Sequence, residues 1–303
     1  MAHKNKTNIS PYKTRQMERL KKGNATGNAT GNATAKPSGN AVGKGAPTKA
    51  AAAAPQTPKL MGKHKRPDEI YSISEATDRL ADIFRNHDFA DVGYPTIEKL
   101  AHFYRLLMLN QEKENFTRLL KLRDIAIKHY VDCLIIPRLT ELKFPLLDMG
   151  TGPGFPGIPL KFLYPNEQII LGEGVQRRVE FLKHVRDEMK LTKLDIIGRN
   201  INPYCVYPVQ GVITRAVEDI GNTLSNVLSC LQTGGKVYLM KGPGVDPEIP
   251  VAQKQLGEFY KLEQDVAYVL PHTEQKRRLL VYKKIKMAPL PDFEEEPWPG
   301  GED

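Results

Sequence analysis

The sequence has little cysteine, and none of it is arranged to hold a metal or a disulfide framework. Cys133, Cys205 and Cys230 are the three cysteines in 303 residues, and no two of them form a C-x-x-C pair. This usage fits a reducing compartment and argues against a structural zinc site. Apolar runs are also short, and none approaches the ~20 residues that span a membrane. Because the basic start lacks an apolar core, the sequence predicts no signal peptide, no membrane partner and a cytoplasmic location.

Acidic residues are scarce at one end of the chain. Residues 1–67 contain 14 Lys and Arg but a single acid, Glu18, whereas the whole chain has a net charge of +9. The same segment carries Gly-Asn-Ala-Thr repeats and few large apolar residues, so it cannot bury enough surface to fold and is predicted to be disordered. A basic tail of this kind suggests a polyanion partner such as RNA, and a solvated linker is the alternative.

Glycine and proline are concentrated in residues 148–157, which read Asp-Met-Gly-Thr-Gly-Pro-Gly-Phe-Pro-Gly. The segment follows the apolar Pro145–Leu147 and precedes the helix-compatible Ile158–Leu163. Glycines at such a turn let the backbone approach a ligand, and the turn directs the N-terminus of the helix towards it. The pattern therefore predicts a ligand-binding loop between a strand and a helix.

Two ligands compete for this loop. Gly152–Gly157 matches G-x-G-x-x-G, the dinucleotide fingerprint, and Glu173 follows at about the expected distance. Asp148–Gly152 matches D-x-G-x-G, which is typical of S-adenosylmethionine-dependent methyltransferases of the α/β class. A carboxylate suits a ligand that carries a cationic amino-acid moiety, whereas it would repel a pyrophosphate. The prolines also remove N–H donors that a pyrophosphate would use, so the second interpretation is favoured.

Periodicity divides the rest of the chain into helices followed by alternating strands and helices. Three helices are predicted first, beginning at the capping box Ser72–Glu75 and continuing over Thr96–Asn110 and Asp124–Pro137. The strands predicted after them are Phe144–Met149, Gln168–Gly172, Leu194–Gly198, Gly211–Thr214, Lys236–Met240, Tyr260–Leu270 and Arg278–Lys284. The helices predicted between the strands are Ile158–Leu163, Val175–Lys190 and Asp219–Leu231.

The alternation predicts an α/β fold with a parallel sheet, and no helix separates the last two strands, which should form an antiparallel hairpin. A parallel sheet that ends in such a hairpin is typical of a Rossmann-like class I methyltransferase. The predicted organisation is a disordered basic tail (1–67), a small helical cap (68–140), an S-adenosylmethionine-binding domain (141–287) and an acidic C-terminal tail (288–303).

Ligands of open α/β sheets bind at the carboxyl ends of the strands. That rule selects Asp148 and Gly150–Phe155 after the first strand, and Glu173 after the second, where it could bind ribose hydroxyls. The positions selected after the later strands are Arg199, Asn200, Ile201, Thr214, Arg215, Lys241 and Gly242. A solvated surface charge is the alternative for Glu173, Arg215 and Lys241, and the pattern alone leaves it open for the last two.

Several segments together resemble the small-subunit ribosomal RNA methyltransferase G family, also called GidB. The most specific is Leu146–Leu160, which looks like the glycine-proline loop of that family. The supporting segments are Asn115-Phe116-Thr117, Lys128-His129-Tyr130-Val131-Asp132-Cys133, Arg177–Leu182, Thr214-Arg215-Ala216, Met240-Lys241-Gly242 and Arg277–Val281. The resemblance covers about residues 72–284.

The resemblance implies methylation of guanine N7 in 16S ribosomal RNA, with S-adenosylmethionine as the methyl donor. By this resemblance the donor would be bound by Gly150, Phe155, Asn200, Ile201 and Arg215, and the rule of strand ends adds Asp148, Gly152, Gly154 and Glu173. Arg215, Lys241 and His129 would act in the transfer, and Lys128, Arg118 and Arg123 would bind RNA. The expected partner is 16S RNA or the small ribosomal subunit, bound by a monomer.

The sequence departs from the family pattern at three places, one of which is Gln210, where the family usually has an acid that opens the fourth strand. The family usually has an acid two residues after the arginine that follows the third strand, and here Arg199 is followed by Asn200–Ile201 instead. Lys128 replaces an arginine, which removes a bidentate phosphate contact but keeps a charge.

Guanine N7 attacks through a lone pair and releases no proton. We therefore expect catalysis by positioning and electrostatics, which explains why no Ser/His/Asp triad or metal-ligand cluster stands out. A non-catalytic RNA-binding or assembly factor on the same scaffold, and a nicotinamide-dependent oxidoreductase, remain the alternatives.

Overall fold

The computed structural model describes residues 66–67, 69–215 and 218–288. The predictions of a disordered basic tail and of an acidic C-terminal tail fall largely outside these residues, as does Ala216 of the Thr-Arg-Ala segment. No helix among the described residues is long and apolar enough to cross a membrane.

Two long helices form most of the cap. Helix α1 (Ile73–Arg85) begins at Ser72, whose Oγ accepts a hydrogen bond of 3.2 Å from the amide of Glu75, as the capping box predicts. Helix α2 (Tyr94–Glu114) extends beyond the predicted Thr96–Asn110 at both ends. It ends at Asn115, which adopts a left-handed conformation with φ 50°.

The third predicted helix, Asp124–Pro137, is divided in the structure. Its parts are α3 (Leu122–Ile125), a π-helical turn (Ala126–Val131), α4 (Asp132–Leu134) and α5 (Ile136–Leu139). A π-helical turn adds one residue per turn and is frequent at functional sites. It changes the spacing of side chains relative to an α-helix, but Tyr130, Val131 and Leu134 are still buried.

All seven predicted strands exist and form one sheet in the order β3-β2-β1-β4-β5-β7-β6. Strands β1 to β5 pair in parallel, and β7 pairs antiparallel with both β5 and β6, which confirms the terminal hairpin. The strands are β1 (Leu146–Met149), β2 (Ile169–Gly172), β3 (Leu194–Ile197), β4 (Val209–Arg215), β5 (Leu231–Lys241), β6 (Tyr260–Val269) and β7 (Lys276–Lys284).

The connecting helices correct the sequence prediction in two places. Their bounds are α6 (Gly157–Leu163), α7 (Gln176–Glu188), α8 (Ile220–Asn226) and α9 (Glu248–Leu256). The predicted helix Asp219–Leu231 is too long, because Leu231 already pairs with Val209 in the sheet. Helix α9 is missing from the prediction because Pro247 and Pro250 suggest a loop. Proline is nevertheless tolerated in the first turn of a helix.

The core is built in two layers, one on each face of the sheet. One layer, which includes Leu147, Val212 and Leu224, contains no residue of the cap. The other is continuous from cap residues such as Phe103 and Tyr130 into the sheet domain. Burial of this shared apolar surface fixes the cap over the carboxyl ends of β1 and β4.

Candidate active site at the carboxyl ends of the strands

The loop between β1 and α6 is closed by Asp148. This side chain is fully buried, and its Oδ2 accepts hydrogen bonds from Thr151 Oγ1 at 2.6 Å and from the amide of Gly157 at 2.7 Å. The carboxylate thus joins the two ends of the loop. Burial raises the pKa of Asp148 to about 7, although both hydrogen bonds oppose that shift. Its other oxygen, Oδ1, has no hydrogen-bond partner among the described residues.

Four backbone amides of this loop donate hydrogen bonds to carbonyl groups of the protein itself. Those of Gly150 and Thr151 donate to the carbonyl of Gly172 at 2.9 and 3.1 Å. Those of Gly154 and Phe155 donate to the carbonyl of Thr151 at 3.0 and 2.9 Å. A pyrophosphate needs free amides at such a turn, so this bonding argues against a dinucleotide site.

Two glycines of the loop have different surroundings. A side chain at Gly152, where φ is 61°, would meet no atom within 4 Å, so this position faces open space. A Cβ at Gly154, where φ is 115°, would lie 2.3 Å from Cδ1 of Ile158. Gly154 therefore lets the loop pack on α6, whereas Gly152 leaves room for a ligand.

The ends of β2 and β3 border the same opening. Glu173 is 5% exposed; its Oε1 accepts a hydrogen bond of 2.8 Å from the amide of Val175, and Arg178 lies 3.5 Å from Oε2. After β3, Asn200 and Ile201 pack against the backbone that follows β2. A Cβ at Gly174 would lie 1.9 Å from Asn200 Oδ1, so a larger residue there requires the side chain of Asn200 to move.

Phe155 lies in the core between the loop and the cap and is 3% exposed. Its ring is stacked on His129 with 4.4 Å between centroids, and the ring of Phe103 lies at 5.4 Å. The guanidinium of Arg215 lies 5.3 Å from the ring centroid. A contact of Phe155 with the donor, as predicted from the sequence, would therefore depend on its backbone, since the ring is used for packing.

A second cavity, which we call the cationic pocket, lies between the cap and the ends of β4, β5 and β7. It has a volume of about 340 Å³. The residues that line it are Lys128, His129, Asp132, Arg215, Met240, Lys241, Gly242 and Arg277. The structure thus brings together four predicted residues, Lys128, His129, Arg215 and Lys241, from three separate elements.

The two lysines of the cationic pocket have close partners. Lys128 Nζ lies 2.8 Å from Asp124, one helical turn before it. Lys241 Nζ lies 2.9 Å from Glu248 at the start of α9 and also donates to the carbonyl of Glu218.

The two arginines of the pocket share one acid, Asp132. Its oxygens lie 3.6 Å from Arg215 and 3.4 Å from Arg277. Asp132 and Arg277 both occur in the segments that resemble the family, but nothing in the sequence indicates that they pair across 145 positions.

His129 is held as a neutral ring. Burial lowers the pKa of His129 to about 3, and the charge of Arg215 acts in the same direction. Its Nε2 lies 3.3 Å from Thr117 Oγ1. Thr117 is fixed in turn by Gln111, which accepts from its amide at 3.1 Å and donates to its carbonyl at 2.8 Å.

The remaining predicted RNA-binding residues lie elsewhere. Arg118 is exposed on the segment after α2. Arg123 is also exposed and lines a different cavity of about 470 Å³ in the cap, together with Tyr71 and Arg79. Arg123 and Lys128 line different cavities.

The strand order, the glycine loop after β1 and the pocket beside it define a methyltransferase of the α/β class. Comparison with known proteins identifies the family. The family model for rRNA small subunit methyltransferase G matches residues 96–281, more than half of the chain. The protein belongs to this family, which confirms the predicted enzyme class and S-adenosylmethionine as its cofactor.

Individual relatives agree with this assignment. A protein of Bdellovibrio bacteriovorus named ribosomal RNA small subunit methyltransferase G 2 is 71% identical over 235 residues, which are 78% of this chain and 92% of that protein. Ribosomal RNA small subunit methyltransferase G of Carboxydothermus hydrogenoformans is 35% identical over 215 residues, 66% of this chain and 90% of that protein.

Proposed function

We propose that the protein transfers a methyl group from S-adenosylmethionine to N7 of a guanine in 16S ribosomal RNA, acting as a cytoplasmic monomer on the RNA or the small subunit. The observation that carries this proposal is the cationic pocket. It contains four positive side chains and lies next to the glycine loop, so a nucleotide bound there is adjacent to the donor site.

The loop side fits S-adenosylmethionine on three counts. Asp148 Oδ1 is a buried acceptor without a hydrogen-bond partner among the described residues, which suits a cationic ligand. Gly152 leaves open space, and Glu173 ends the neighbouring strand with a carboxylate. When bound, the donor supplies an activated methyl group. The residues proposed to hold it are Asp148, Gly150, Gly152, Gly154 and Glu173, with Asn200, Ile201 and Arg215 along the same edge.

The chain's own residues contribute positioning and charge. Arg215, Lys241 and Lys128 hold the RNA so that the target base lies in the cationic pocket. His129 is neutral at physiological pH and packs on Phe155, which suits a base contact or a support for the π-helical turn. Because N7 attack releases no proton, a general base is not required.

Product analysis tests this proposal directly. Small subunits from a strain lacking the protein are incubated with the full-length enzyme and labelled S-adenosylmethionine, and the 16S RNA is digested to nucleosides. We expect the label in 7-methylguanosine at one position. Label at another atom of the base would overturn the N7 assignment. Binding of subunits without any transfer would favour the assembly-factor alternative.

We further propose that the basic tail, residues 1–67, adds phosphate contacts to this interaction. Its 14 basic residues against one acid support this role. Deletion of the tail should weaken RNA binding and reduce the slope of log affinity against log salt. A slope that does not change would make the tail a linker.

A further inference from the structure

The proposed reaction moves a positive charge into the cationic pocket, and the inference below rests on that proposed function. The lone pair of guanine N7 forms the new N–C bond while the C–S bond of the donor breaks and its electron pair stays on sulfur. No proton leaves, so the purine ring gains the charge that sulfur loses. A pocket whose lining attracts RNA phosphates must therefore also accept a cation.

Asp132 is the acid among the described residues that line the cationic pocket. It is 3% exposed, and its Oδ1 has no hydrogen-bond partner among the described residues. Its contacts to Arg215 and Arg277, 3.6 and 3.4 Å, exceed the ~2.9 Å of an ordinary N–H···O hydrogen bond. The carboxylate therefore retains much of its capacity to stabilise another positive group.

The other acids near the pocket are less suited to that task. Asp124 and Glu248 each pair closely with a lysine, and their side chains are 38% and 32% exposed. Solvent screens charges at such positions. The side chain of Asp132 is only 5% exposed, so its field is screened far less.

We propose that Asp132 is the counter-charge for the methylated base, and that its buried carboxylate stabilises the positive purine ring that the transfer creates in the cationic pocket. Asp132 also holds Arg215 and Arg277, so that their charges remain balanced while the base becomes positive. It acts through the field and through these arginines, without touching the base, and is therefore a positioning residue.

The charged groups around Asp132 oppose the effect of burial on its carboxylate. Arg215 faces it from β4 and Arg277 from β7, and both lower its pKa, whereas burial raises it more strongly. Lys128 and His129 line the same pocket from the π-helical turn, and Lys241 lines it from β5. The two arginines thus favour the charged form of the carboxylate.

The decisive test measures binding of the protein to small subunits in the absence of S-adenosylmethionine. Full-length wild type and Asp132→Asn are titrated with unmethylated small subunits and with the same subunits after methylation by the wild type. Asp132→Asn adds one positive charge to the pocket, so binding of unmethylated subunits should be unchanged or tighter. Binding of methylated subunits should weaken, and the ratio of the two affinities should change about 10-fold. A change of less than about 2-fold in that ratio would overturn the proposal.

Asp124→Asn is the matched control. It also removes an acid from this helical segment, but the wild-type Asp124 pairs with Lys128 at an exposed site. It should leave the affinity ratio unchanged. If Asp132→Asn weakens both affinities equally, Asp132 is only structural. Should that variant fail to fold, Arg277→Gln serves instead: it leaves Asp132 with one arginine and should shift the ratio towards methylated subunits. An unchanged ratio in this variant would also contradict the proposal.

Kinetics give a second measurement. Asp132→Asn should lower kcat about 10-fold or more and leave KM for subunits unchanged or lower, because the carboxylate attracts the base only once the base is positive. An unchanged kcat would contradict the inference. Failure of the proposed function itself is recognised separately, because the wild type would then produce no 7-methylguanosine for the binding comparison.

Discussion

The loop after β1 and the cationic pocket lie side by side at one edge of the sheet, yet they are built differently. In the loop, Asp148 makes hydrogen bonds of 2.6 and 2.7 Å and is fully buried. In the pocket, Asp132 lies 3.4 and 3.6 Å from its two arginines. Asp148 thus makes short hydrogen bonds within the loop, whereas the arginines of the pocket are held to Asp132 by longer contacts between charges.

The difference matches what each site has to bind. A small donor of fixed shape gains affinity from a preformed cradle, because little ordering is needed on binding. RNA brings phosphates that can bind the two arginines, whose contacts to Asp132 are long. Substitutions in the loop should therefore nearly abolish donor binding, whereas each substitution in the pocket should weaken RNA binding by a moderate factor.

Gly152→Asp should have the largest effect. The aspartate would occupy the open space above the loop, so we expect the affinity for S-adenosylmethionine to fall at least ~100-fold. Gly234→Asp is the control, since Gly234 also has a positive φ, 84°, and open space around it but lies in β5 away from the site. Calorimetric titration measures both variants. Equal losses of affinity in the two would show that backbone strain, and not the site, is responsible.

Lys241→Gln should have a smaller and graded effect. It removes one positive charge from the cationic pocket, so we expect RNA affinity to fall about 10-fold and the salt slope to decrease by about 1. Lys236→Gln is the control, because Lys236 lies on the same strand and pairs with Glu263 at 2.9 Å outside the pocket. Filter binding at several salt concentrations measures both. If Lys236→Gln weakens RNA binding equally, the pocket is not the RNA site.

The sequence predicts the loop better than the pocket, and the reason is the range of the interactions. The loop is contiguous, and the pairing of Asp148 with Gly157 spans nine positions. The rule that ligands bind at strand ends also places Arg215 and Lys241 together. It cannot place Asp132, because a π-helical turn sets its direction, or Arg277, because the terminal hairpin brings it back from far along the chain. Local patterns carry neither piece of information.

The pH dependence of donor binding sharpens the comparison. Because burial raises the pKa of Asp148 from 3.8 to about 7, the carboxylate is largely protonated at pH 6 and ionised at pH 8. We expect affinity for the cationic donor to be about 10-fold weaker at pH 6 than at pH 8. Calorimetry at the two pH values measures this, and Asp148→Asn should remove the difference. A wild-type affinity that does not vary with pH would show that Asp148 does not sense the donor.

The raised pKa of Asp148 has the opposite effect on folding stability, which should fall as the pH rises. Between pH 3.8 and about 7 the folded protein keeps a proton on Asp148 that the unfolded chain has released. Ionisation therefore destabilises the donor-free protein as pH rises through this range, and Asp148→Asn should be less sensitive. Thermal unfolding without donor measures the effect.

Phe155→Leu should have the smallest effect, but it should weaken both donor binding at the loop and RNA binding at the cationic pocket. Phe155 belongs to the loop, and its ring packs on His129 beside the cationic pocket, so it is the direct contact between the two regions. We expect a loss of about 1 kcal/mol in the free energy of unfolding and a weakening of about 3-fold in both donor and RNA binding. Phe162→Leu is the control, because Phe162 is equally buried and also packs on Phe103 but belongs to α6 and not to the loop. It should lower stability to the same extent and leave both affinities unchanged. If the two variants have the same effects, the loop and the cationic pocket are coupled only through global stability. If only Phe155→Leu weakens donor and RNA binding, the ring of Phe155 couples the loop to the cationic pocket.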